Sequence, residues 1–160
     1  MIDTLVNFLT VEFAVLFTAA LPIIELRGAI PVGISLGLSP MHAAVLSLIG
    51  SMIPVPFILY TIRPIFNYLK TTKTFNKLIH KITHHSLEGT GGKVQKYGVL
   101  GLIVVVAIPL PGTGVWSGSL AAALLNIRFK WAFPAILVGN IIAAYAVMTI
   151  SSGAFRLFGG

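Results

Sequence analysis

The sequence predicts an all-α integral membrane protein. The expected plan is an inverted repeat of a re-entrant helical hairpin plus a transmembrane helix, with an amphipathic interfacial helix between the repeats. Three observations carry this. First, the 160 residues are 56% hydrophobic and 9% charged, against roughly 25% charged in soluble domains. Second, two Pro/Gly breaks, Leu21–Pro31 and Pro109–Gly114, interrupt very apolar sequence about 90 residues apart. Third, seven of the eleven Lys/Arg fall between Arg63 and Lys96. That clustering is the positive-inside signature of a membrane protein and not a nucleic-acid footprint. One membrane domain, 1–160, is the natural count: repeat one 1–62, a basic connector 63–96, and repeat two 97–160. There is no cysteine, so disulfides and thiol chemistry are excluded.

Residues 1–12 hold Asp3 and Glu12 among Ile2, Leu5, Val6, Phe8 and Leu9, and read as an interfacial or helix-leading segment. With no basic residue before Arg27, this start lacks the n-region of a signal peptide and is expected to be retained. Phe13–Leu21 is an apolar helix of about 14 Å, half of a ~30 Å hydrocarbon core. The chain then breaks at Pro22 and returns over Ala29–Leu38, again half a bilayer. Ser39-Pro40 is a helix start, because Ser caps and Pro fits the first helical position. The following span reaches Tyr60 or Ile62, with a kink expected at Pro54 and Pro56. Gly50-Ser51 near its middle allows close helix packing.

Within the connector, Phe75, Leu78, Ile79 and Ile82 follow helical spacing, and Lys70, Lys73, Lys77 and Lys81 keep it on the other side. This is the pattern of a helix lying on a membrane surface. Ser86–Gly92 reads as a flexible linker. Gly98–Ile108 is the next half-length helix, Pro109–Gly114 the second break, and Trp116–Leu125 the return. Arg128 and Lys130 mark a surface, and Trp131–Ser151 spans, with Gly139-Asn140 near its middle.

A shift of 89 residues aligns the halves: Leu21-Pro22 on Leu110-Pro111, Leu36 on Leu125, Leu38 on Ile127, Ala43 on Ala132, and Gly50-Ser51 on Gly139-Asn140. Each half crosses once, so the second is inverted. With 63–96 cytoplasmic, the Arg128/Lys130 turn is cytoplasmic too, and Asp3, Glu12 and both termini lie outside. Fully spanning hairpins would give the same parity. Half-length segments favour re-entrance, since irregular backbone at depth needs protein or water around it.

The charged break carries the chemistry. An ionisable group at bilayer depth costs at least about 2.5–3.5 kcal/mol and is expected to pair or to work. Glu25 and Arg27 are two apart, which does not bring side chains together on a helix but does on an extended segment. The prolines and Gly28 favour the extended form. In the functional reading Arg27 grips an anionic headgroup and Glu25 exchanges a proton; the alternative is a structural ion pair. In the second break, after Pro111, the glycines Gly112 and Gly114 expose backbone N–H groups at a helix start, a ready anion cradle to which Thr113 adds a hydroxyl; the alternative is a tight turn. Trp116 is either a lipid-interface anchor or a pocket wall. Ser51 and Asn140 either bond two helices or line the pathway. His80, His84 and His85 read as surface residues, so no metal site and no cofactor is expected. No nucleotide-binding, nucleophile or metalloprotease motif is present, and an enzyme is not expected.

With Glu25-Leu26-Arg27-Gly28-Ala29-Ile30-Pro31 and Pro109-Leu110-Pro111-Gly112-Thr113-Gly114-Val115-Trp116 in place, the chain resembles the small multidrug export family over nearly its whole length. That family is distantly related to the DedA/VTT membrane proteins. The resemblance implies two re-entrant hairpins in inverted repeats. The DedA/VTT relatives are implicated in moving lipids, including polyprenyl phosphates, between leaflets, with acidic and Arg residues essential. By that resemblance an acidic residue of the first hairpin matches Glu25, and the Pro-Gly break matches Pro111-Gly112. DedA proteins carry Arg residues after the second hairpin, where only Arg128 stands here.

The expectation is a transporter or flippase, ion- or proton-coupled, for an amphiphilic anion such as a phospholipid or polyprenyl phosphate. Its membrane would be a bacterial or archaeal inner membrane. The alternatives are a proton-coupled small multidrug exporter and a non-transport membrane-organising protein. Membrane lipids are the expected partners, together with a second copy of the chain, because one copy buries little protein around a charged break.

Overall fold

The computed structural model describes residues 2–70, 91–110 and 113–158. These form seven α-helices and, among the described residues, no strand: α1 (Ile2–Ala20), α2 (Glu25–Ser35), α3 (Pro40–Met52), α4 (Pro54–Lys70), α5 (Gly91–Ala107), α6 (Val115–Leu124) and α7 (Phe129–Phe158). Among the described residues, two helical stretches are long and apolar enough to cross a membrane. Pro40–Ile65 runs through α3 and α4, and Phe129–Phe158 is α7. At 26 and 30 residues they extend about 39 and 45 Å, longer than a ~30 Å hydrocarbon core.

Local chemistry explains most boundaries. Ser39 caps α3 by accepting the His42 N–H at 3.3 Å, with Pro40 in the first turn. The kink expected at Pro54 falls at Ile53, whose N–H bonds Gly50 O at 3.3 Å. Pro31, Pro64 and Pro134 lie inside helices. The turn after α2 is a Schellman stop: Gly37 N–H reaches Ile34 O and Leu38 N–H reaches Gly33 O, both at 3.0 Å. The turn after α6 repeats it 89 residues on. There Asn126 N–H reaches Ala123 O at 3.2 Å and Ile127 N–H reaches Ala122 O at 2.9 Å.

Several sequence expectations shift. The helix-leading reading of the first residues is the observed one, since α1 is a single 19-residue helix; its apolar part is Leu9–Ala20. The return helix starts at Glu25, four residues earlier than expected, so Glu25-Arg27 is helical and not extended. The span after Ser39 continues to Lys70, which puts Arg63 on α4, and Gly91-Gly92 open α5 rather than ending a linker. The amphipathic pattern of Phe75–Ile82, its partners Lys73, Lys77 and Lys81, and His80, His84 and His85 lie outside the described residues.

The core has three parts. Val15, Ala19, Ala29, Leu38 and Ala43 join α1, α2 and α3. Val55 and Leu59 of α4 pack with Val106, Val115, Ala122, Ala132 and Ile136 of α5, α6 and α7. Leu26 and Ile30 of α2 pack on Ala143, Ala144 and Val147 of α7. Each short helix therefore packs across onto the long helix of the other half: α2 on α7, α6 on α4. Gly50 and Gly139, also 89 apart, serve as matching contact points. A Cβ on Gly50 would strike Leu16 O of α1, and one on Gly139 would lie 2.7 Å from Ile103 O of α5.

Candidate functional site

The two breaks meet. Glu25 is 5% exposed and sits at the start of α2 with φ +49°. That left-handed value is uncommon for a residue with a side chain. It is also why a pair two residues apart can close on a helical segment: the Glu25 Cα–Cβ bond does not follow the helical direction. Arg27 Nη1 donates to Glu25 Oε2 at 2.7 Å. Arg27 Nη2 donates to Val106 O and Ile108 O, both at 3.0 Å, and approaches Thr113 Oγ1 at 3.4 Å. The other Glu25 oxygen, Oε1, accepts the Trp116 backbone N–H at 3.1 Å.

The electrostatic logic is complementary. Arg27 sits on the exposed carbonyls at the C-terminal end of α5, and Glu25 on the free N–H groups at the N-terminal start of α6. Each charge faces the helix end of opposite partial charge, where such contacts are favourable. Removing either partner of a buried pair leaves an uncompensated charge, at a typical cost of about 3–5 kcal/mol.

Gly114 makes the approach possible. Its φ is +141°, and a Cβ there would strike Glu25 Oε2 and Arg27 Nη1. Glycine at this position leaves room for the ion pair against the backbone. The Thr113 hydroxyl lies 2.7 Å from Ile108 O and 2.8 Å from Leu110 O, pinning the second break. Trp116 lines a cavity beside the pair, and its indole N–H donates to Ala20 O, the end of α1, at 3.3 Å.

A cavity of about 340 Å³ opens beside the pair. Gly28, Pro109, Thr113 and Trp116 share its lining with Glu25 and Arg27. Pro22, Ile23 and Ile24 of the first break line it too, as does Ser117. Ser117 was not singled out by the sequence, and its only signal there is adjacency to the second break. Pro111 and Gly112 lie outside the described residues.

Ser51 and Asn140 come together away from this lining. Asn140 Nδ2 donates to Ser51 Oγ at 2.7 Å, and both residues are fully buried. This is the helix-bonding alternative of the two. Asn140 Oδ1 and the buried Ser47 Oγ have no partner, and neither does Arg27 Nε. Ser47 precedes Ser51 by one helical turn, the spacing that could have flagged it.

A family model described as "Putative small multi-drug export protein" matches residues 25–145. The chain belongs to this family. The match begins at Glu25 itself, takes in the second break and the long stretch Pro40–Ile65, and covers the first break from Glu25 onward and the last helix as far as Tyr145. The small multidrug export family is a class of exporters rather than of enzymes, and with the two apolar helices it makes this a membrane protein. No curated protein and no solved structure gives a significant match.

Proposed function

We propose that the protein is a secondary transporter or flippase for an amphiphilic anion, of the kind represented by a phospholipid or polyprenyl phosphate. The observation that carries this is the make-up of the cavity. A guanidinium and a carboxylate line it, while Ile23 at 93% exposure, with Ile24 also exposed, gives it an apolar rim. A polar head fits beside Arg27 while its chain stays on the rim and in lipid. Glu25 is the proton-linked group, Arg27 the headgroup contact, and the start of α6 the backbone cradle.

The re-entrant, inverted-repeat reading underlies this. It is supported by the helix order, the twin Schellman stops, and the four positive-φ residues among those described, which pair at the same offset: Glu25 with Gly114, Gly37 with Asn126. Transporters built this way bind substrate where broken helices meet. A cytoplasmic connector is supported by Arg63, which donates to Ile127 O beside Arg128; the connector's start and the second basic turn therefore share one end of the molecule. A homodimer that covers the exposed apolar rim belongs to the same reading.

Family membership favours a second reading, proton-coupled export of lipophilic cations, with Glu25 as the cation site. The Arg27 guanidinium bonded to Glu25 opposes it. Lipid transport in liposomes with Glu25→Gln and Arg27→Ala tests the assigned roles: loss in both is expected, and wild-type rates in both would sink them. Thermal stabilisation by an anionic lipid but not by a lipophilic cation separates the two readings.

A further inference from the structure

The anion cradle at the start of α6 is already filled, by the protein's own carboxylate. Glu25 takes the Trp116 N–H through one oxygen and Arg27 Nη1 through the other. Arg27 has five N–H donors. Nη2 is committed to Val106 O and Ile108 O, and Nε is buried without a partner. Nη1 gives one N–H to Glu25 and keeps one, so an incoming anion gains a two-point grip only by taking the donors that Glu25 holds. Two anions cannot share them, since like charges about 4 Å apart repel by about 4 kcal/mol at the effective dielectric of a protein site.

Resting on the anionic-substrate reading above, we propose that Glu25 is a built-in competitor. The substrate's anionic head displaces its carboxylate from Arg27 and the Trp116 N–H, and the displaced carboxylate takes up a proton from water.

The adjoining cavity gives the displaced group somewhere to go, since Glu25 lines it. With Arg27 taken by the substrate, the displaced carboxylate lies among Pro22, Ile23, Ile24 and Pro109 of the lining with the bound anion beside it. A carboxylate next to another anion and without a cation of its own neutralises rather than stay charged. The exchange is balanced. One bound negative charge is matched by one bound proton, and when the substrate leaves, Glu25 releases that proton and returns to its donors. The protein is then an electroneutral symporter of proton and monoanion. The neutral Gln side chain cannot compete as an anion, so the variant that removes the charge should bind substrate better, the opposite of what a scaffolding role for Glu25 predicts.

The test is calorimetric titration of the full chain in nanodiscs with dihexanoyl phosphatidylglycerol, a phosphodiester of one fixed negative charge. It is run in two buffers of different ionisation heat, well above the ordinary carboxylate range of about 4. Wild type is expected to take up about one proton per phosphodiester bound. Glu25→Gln is expected to bind about tenfold tighter or more, a shift of at least ~1.4 kcal/mol, with no proton uptake. Arg27→Ala is expected to lose binding. Should Glu25→Gln not fold, Glu25→Asp carries the test. Its shorter carboxylate grips less, so binding should tighten while uptake persists. Binding to wild type without proton uptake, or unchanged or weaker binding to the charge-removed or shortened variant, overturns the displacement and leaves the anionic-substrate reading standing. No binding to any variant overturns both.

Discussion

Gly114→Ala isolates the contact on which the site depends. The added Cβ acts twice. It forces a side chain onto a backbone at φ +141°, a strain of about 1–3 kcal/mol. It also strikes Glu25 Oε2 and Arg27 Nη1, so the carboxylate must leave the Trp116 N–H or the guanidinium. A charge-assisted hydrogen bond lost there is worth about 1.5–3 kcal/mol. The sum is about 2.5–6 kcal/mol, which for a chain of this size lowers Tm by roughly 5–24 °C. Thermal unfolding in detergent, followed by tryptophan fluorescence, reads it directly, with Gly101→Ala as control because nothing lies within 4 Å of a Cβ there. The cycle with Glu25→Ala sharpens the result. Without the carboxylate the guanidinium is free to move aside, so the same substitution should cost little beyond the backbone strain, a coupling of about 1.5–3 kcal/mol. A Gly114→Ala protein melting with the Gly101→Ala control, or equal costs in both backgrounds, would refute the reasoning.

Further outcomes follow from the packing. Gly50→Ala and Gly139→Ala push α3 from α1 and α7 from α5, because each new Cβ meets backbone oxygen. Each should cost about 1–3 kcal/mol in thermal melts, whereas Gly153→Ala, in open space on α7, should be neutral or slightly stabilising. Asn140→Ala and Ser51→Ala should fall short of additivity by about 0.6–1.7 kcal/mol, the range of interhelical hydrogen bonds in membranes, as measured by a double-mutant cycle on Tm. Glu12→Gln should shift Tm little. Its 2.8 Å contact with His42 links α1 to α3 at a part-exposed position, where such pairs are worth about 0–1 kcal/mol.

Much of the fold was legible because its punctuation is local. Ser39-Pro40 announces a helix start by capping chemistry, and Pro54 a kink. Arg63, Arg128 and Lys130 marked one end of the molecule by charge alone. The geometry of Glu25 was not legible. Period-two reasoning required an extended segment to bring it beside Arg27, whereas a positive φ at the first helical residue achieves the contact instead. Such a φ is held by tertiary contacts, here a carboxylate anchored 91 residues away on the Trp116 N–H, so no local signal carries it. The proximity of the two breaks was inferable from the matching order of elements. What lay beyond the sequence was which group fills the cradle. Glycines advertise free N–H groups equally for a ligand and for the protein's own side chain. Ser47 went unnoticed because a lone serine in an apolar span is usually bonded to its own helix.

Two contacts in this structure join residues 89 apart: Glu25 to Gly114, and Ser51 to Asn140. A position that touches its own counterpart cannot hold the same residue in both halves without conflict. Two carboxylates would repel, and two glycines would leave a helix start bare. Two serines would be too short to bridge α3 and α7, and two asparagines too bulky for a site with no exposed surface. At these points, likeness between the halves must give way to lock and key. A symmetrised version of the chain, with either half duplicated, should therefore fail first at these two contacts, and restoring one mismatched residue at each should be the smallest repair.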